Sequence, residues 1–108
     1  MSDCNELIAF STKLSKSPVD TMTVNDFIAS VWRYLHMNNI SVSRCATVLE
    51  KHDILDIQGA KIEQLDKETA IALLGWAVNA ERLFKGVVFS NIMSGDIPKI
   101  LKRLGEVA

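Results

Sequence analysis

The chain has 108 residues, 12 of them basic and 13 acidic, and its formal charge of −1 gives no overall positive field to draw it to nucleic acid or anionic lipid. With 48% hydrophobic and 23% charged residues it is neither disordered nor of low complexity, and one domain of residues 1–108 can bury a core without disulfide or metal staples. Cys4 and Cys45 read as reduced thiols, Cys4 at the surface, and Asp3 and Glu6 stand where a signal peptide would be basic and apolar, so a cytoplasmic location is expected.

Helical spacing recurs along the chain and strand signals are almost absent, so the expected class is all-α: a compact bundle of five or six helices around a buried central one. Asp3 and Glu6 form a capping box for a first helix carrying Leu7, Phe10 and Leu14 on one face and ending near Ser15. A loop rich in Ser and Thr, with Pro18, follows, and Thr23 is the expected N-cap of the second helix. Its stripe is Val24, Phe27, Ile28, Val31 and Leu35, with Trp32 and Tyr34 off it and Asn38-Asn39 as the stop.

Ser41 or Ser43 caps a shorter third helix in which Val42, Cys45, Ala46 and Leu49 share a face and which ends near His52 and Asp53. The connection that follows has room for a short helical turn, with Gly59 relieving one bend. Asp66 then caps the central helix, whose stretch from Thr69 to Ala80 has twelve residues and no charge, against the ~20 a membrane span needs. Gly86 is a point where a helix from Asp66 to Ser94 bends or breaks. Gly95 is the expected C′ residue of the corner beyond it, Asp96 the N-cap of the last helix, and Pro98 lies in that helix's first turn.

From Thr69 to Gly95 the only charges are Glu81, Arg82 and Lys85. Glu81 shares a helical face with Ala77 and Phe84, so its carboxylate is either paired structurally or shifted for acid–base work. The structural reading has Glu81 accepting from a helix N-terminus or an Arg, and Arg82 bonding carbonyls near Gly95. No second carboxylate or His stands at helical spacing from Glu81, and there is no phosphate loop or nucleophile elbow, so no catalytic residue is assigned. His36, Cys45 and His52 lack the paired spacings of a zinc site, and no cofactor or metal is expected. Trp32, Tyr34, Lys99, Lys102 and Arg103 form the candidate interaction face, the three cations lying at i, i+3, i+4 on the last helix.

The stretch "DKETAIALLGWAVNAERLFKGVVFSNIMSGDIPKILKRL", residues 66–104, resembles a bacterial domain family of unknown function, number 6508. Leu73, Leu74, Glu81, Arg82, Gly86, Gly95, Leu101, Arg103 and Leu104 fall in the family's pattern; Asn79 replaces its usual Arg and Leu83 its Phe. The resemblance implies an all-α fold and a bacterial or phage origin, and brings no activity with it. A fainter likeness to SAM domains, through Ile57, Gly59, Leu65, Glu68, Leu74 and Gly75, implies protein–protein interaction. The reading is a non-enzymatic interaction or regulatory module with a protein partner, homodimeric in one version, with no role for nucleic acid or membrane. The alternatives are a small ligand-binding or enzymatic domain using Glu81 and Arg82, and a phage-encoded inhibitor of a bacterial complex.

Overall fold

The computed structural model describes residues 4–15 and 19–108. Among them lie six α-helices and no strand: α1 (Asn5–Lys13), α2 (Thr21–Met37), α3 (Val42–Lys51), α4 (Lys67–Leu83), α5 (Val87–Met93) and α6 (Asp96–Val107), with a 3-10 turn at Ile62–Gln64 before α4. No helix there is long and apolar enough to cross a membrane.

A helix without charge over twelve residues must be covered on most sides, and α4 packs against α2, α3, α5 and α6. Ala70, Leu73, Leu74, Ala77 and Val78 are fully buried, as are Phe27 of α2, Val88 of α5 and Ile97, Ile100, Leu101 and Leu104 of α6. α1 closes the assembly from the other side of α6, resting also on α2, where Phe10 meets Phe27 edge-to-face at 5.5 Å between ring centroids.

The helix starts depart from expectation at three points. Asp20, not Thr23, caps α2: its Oδ1 accepts from the Thr23 N–H at 2.7 Å, so the helix begins earlier than expected. At α1 the expected capping box is absent. Asp3 lies outside the described residues, Cys4 takes the N-cap position, and the Glu6 carboxylate turns to α2, accepting from Ser30 Oγ at 3.0 Å and pairing with Arg33. At α6, Asp96 is the first helical residue rather than the cap. Gly95 takes the cap position at φ +90°, and the Ser94 hydroxyl and the Asp96 carboxylate join at 3.1 Å beside it.

Other boundaries match the sequence reading. Ser41 caps α3 with Oγ accepting from the Arg44 N–H at 3.0 Å, and Asp66 caps α4 with Oδ1 accepting from the Thr69 N–H at 2.8 Å. Asn39 at φ +56° follows α2 and Asp53 at φ +57° follows α3, the left-handed geometry that these residue types tolerate at a helix end. The Pro18 loop lies outside the described residues. Cys4 is buried, not exposed, because the start of α1 tucks under α2, where its thiol donates to Tyr34 Oη at 3.3 Å.

Contact with Thr69 holds the Asp66 carboxyl below the usual range, and the hydrogen bonds from Ser30 and then Arg33 do the same for Glu6. Both groups contribute stability above the ordinary carboxylate pKa, about 4, and lose it as pH falls through their depressed folded values. Acid titration of the wild type should therefore cost more stability than that of an Asp66→Asn, Glu6→Gln variant; equal losses would contradict this.

α3 and α4 approach each other closely at Gly75. A Cβ built there would stand 2.6 Å from Cys45 Sγ and 3.3 Å from Leu35 Cδ1, so α3 and α4 meet where one helix has no side chain. Gly75→Ala gains about 1 kcal/mol of helix propensity, yet should destabilise the domain net by about 1–3 kcal/mol through overpacking. Denaturant melts of Gly75→Ala, Cys45→Ala and the double variant check this. The losses should fall short of additivity by about 1 kcal/mol, whereas additive losses would mean that the contact is not what requires glycine.

Candidate functional site

α4 ends at Leu83, and Phe84 leaves the helix at φ −132°. Two residues on, Gly86 turns the chain at φ +98°, a conformation that excludes most side chains. The residue that must turn the chain is thus one that cannot cap α5. Glu81, in the last turn of α4, supplies the cap from a distance: Oε2 accepts from the Gly86 N–H and Oε1 from the Val88 N–H, both at 2.9 Å. The half-buried carboxylate also lies at the positive end of α5. Of the two chemistries open to Glu81 in sequence, this geometry is that of a joint: both oxygens are engaged by backbone donors.

Arg82 goes elsewhere. Instead of bonding carbonyls near Gly95, its exposed guanidinium lies over Trp32 of α2, with Cζ 5.8 Å from the ring centroid. The adjacent pair therefore diverges, Glu81 to α5 and Arg82 to α2, and the two side chains do not converge on a common cavity. A cleft of about 540 Å³ lies among the end of α2, α3 and the start of α4. Its walls include Tyr34, Ile40, Val48 and Ile71, and an Arg44–Glu68 ion pair of 3.2 Å lies at its edge; neither Glu81 nor Arg82 lines it.

The remaining candidate face is taken apart in the same way. Tyr34 is only 9% exposed and belongs to the core, a correction to its place on an interaction face, and Trp32 is half-buried beneath Arg82. Lys99 and Lys102 are exposed beside Ser11, Thr12, Ser15 and Pro98. Arg103 leaves that cluster: its Nε donates to the Leu65 carbonyl at 2.9 Å and Nη1 pairs with Glu106 at 3.5 Å, fastening the connection before α4 to α6. Among the described residues no three His, Cys, Asp or Glu side chains stand together to hold a metal ion. Burial pushes the Cys45 thiol up, away from nucleophilic use.

Sequence reasoning missed the corner itself. Leu83 is 74% exposed, Phe84 69%, Phe89 45% and Met93 57%, four large apolar side chains within residues 83–93. Phe89 and Met93, four apart, share a face of α5, while Val88 and Ile92 occupy the neighbouring row and are buried. With both rows apolar, periodicity could not say which one would face outward. The one usable signal was an excess of apolar residues over what a seven-residue helix can bury.

Glu81→Gln keeps one acceptor but sets an NH2 group against a backbone N–H. It should cost about 1–3 kcal/mol and weaken the packing of α5. Denaturant melts check this; an unchanged or raised stability would mark Glu81 as a strained functional group instead.

A family model of unknown function, DUF6508, matches residues 24–108, which takes in α2 except its first turn and everything after it. No curated protein and no solved structure matches the chain. The chain belongs to the family of unknown function DUF6508.

Proposed function

We propose that the domain is a non-enzymatic interaction module that docks a protein partner at the corner between α4 and α5. The observation that supports this is the exposure of Leu83, Phe84, Phe89 and Met93 in one eleven-residue stretch. Single exposed apolar residues are ordinary, but a concentration of large ones costs solubility unless something covers it. The interaction reading is also favoured over the enzymatic alternative by Glu81, whose two oxygens accept from the backbone of α5. A regulatory role in a bacterial or phage complex, including inhibition, fits a domain that works by occupying a surface. The two free, buried thiols suit a reducing compartment such as the cytoplasm.

The test is a Phe84→Ser, Phe89→Ser double variant compared with wild type by cross-linking in the native host and mass spectrometry. Both positions are open enough that stability should change by no more than about 0.5 kcal/mol per site, while the cross-linked partner should disappear. Retention of the same partner by a well-folded variant would place the binding surface elsewhere.

A further inference from the structure

Resting on that reading, we infer that the partner segment is an amphipathic helix whose apolar stripe is flanked by acidic residues. The basis is the charge around the corner. Arg82 and Lys85 are both exposed, and residues 82–95 contain no acidic side chain. The two carboxylates that flank this stretch are both engaged: Glu81 is half-buried and held by the Gly86 and Val88 N–H groups, and Asp96, also half-buried, meets the Ser94 hydroxyl at 3.1 Å. A partner approaching Phe84 and Phe89 therefore meets positive charge beside apolar surface, and Asp or Glu flanking an apolar stripe answers both.

The form of the partner follows from α5. Seven residues make a helix about 10 Å long, and Phe89 and Met93 present one row of it, the geometry that packs against a second helix with anchors at i, i+3 or i+4 and i+7. A second copy of this chain fits less well. A two-fold interface over this corner would bring Arg82 and Lys85 of one copy towards those of the other, like charge to like charge. A lipid surface is also the weaker match, since two cations fall short of the roughly 4–8 basic residues of segments that bind anionic membranes.

Selection from a phage-displayed library of random 16-residue peptides against the intact domain tests the inference. Enriched sequences should be net acidic, with Leu, Ile, Phe or Met at helical spacing. Synthetic versions should bind at least tenfold more weakly to Lys85→Glu and to the Phe84→Ser, Phe89→Ser variant, and should lose affinity as salt rises. Circular dichroism should show them becoming helical on binding.

Enrichment of basic or extended proline-rich peptides would overturn the inference. If those peptides still failed on the Phe84→Ser, Phe89→Ser variant, the docking corner would stand and only the partner class would fall. Binding of acidic peptides that ignores all three substitutions would remove the corner as well. Recovery of no peptide, association with phosphatidylserine vesicles, or a dimer in sedimentation velocity that Phe89→Ser dissolves would each overturn the acidic helix as occupant.

Discussion

The carboxylate of Glu81 is the hinge on which the second half of the molecule turns. The chain must reverse after α4, and it does so at Gly86 with φ +98°, a conformation that removes any side chain from the position where an N-cap belongs. Without Glu81 the Gly86 N–H would be left to solvent and the part-buried Val88 N–H would lose its acceptor, the latter at a cost of about 1–3 kcal/mol. Glu81 reaches across five and seven residues to satisfy both. With α5 so placed, Val88 and Ile92 enter the core, and the Gly95 corner turns α6 back along α4 and α1. The row that does not enter, Phe89 and Met93, is left in solvent with Leu83 and Phe84. The joint that folds the domain thereby leaves four large apolar side chains exposed at one turn of the chain.

The same logic of close fit governs the other end. The Asp66 cap fixes where α4 starts, and Gly75 lets α3 approach until Cys45 Sγ occupies the space of the missing Cβ. Arg103 then spans from α6 to the Leu65 carbonyl and secures the irregular connection that feeds α4. Polar groups that look in sequence like recognition elements are mostly spent on positioning. Glu81, Arg103 and Asp66 each bond backbone, and Arg82 lies against Trp32. What remains exposed for a partner is apolar, with Lys85 beside it and the outer face of Arg82 at its edge.

Much of the fold was legible because its signals are local. Charge-free spacing marked α4, the Asn38-Asn39 and Gly95 stops marked helix ends, and Ser41 and Asp66 marked starts. Local signals failed where a second candidate cap stood a few residues upstream or where a side chain of another helix drew the capping group away. Asp20 displaced Thr23 as a cap, and Glu6 was drawn to Ser30 and Arg33 of α2. The role of Glu81 could be narrowed to two chemistries from its apolar face, but which one it takes depends on where Gly86 sends the chain. The exposed corner was illegible for a plainer reason: α5 has two apolar rows, and only the packing of α4, α5 and α6 decides which one is covered.

Amide hydrogen exchange at Gly86 and Val88 tests the central claim most directly, because those two N–H groups are the ones Glu81 is said to hold. The account predicts that both are protected in the wild type and exchange markedly faster in Glu81→Gln, while the amides of Leu73 and Leu74 in the middle of α4 keep most of their protection. Wild-type exchange at Gly86 and Val88 as fast as at open solvent-facing amides would contradict it, as would protection that Glu81→Gln leaves untouched.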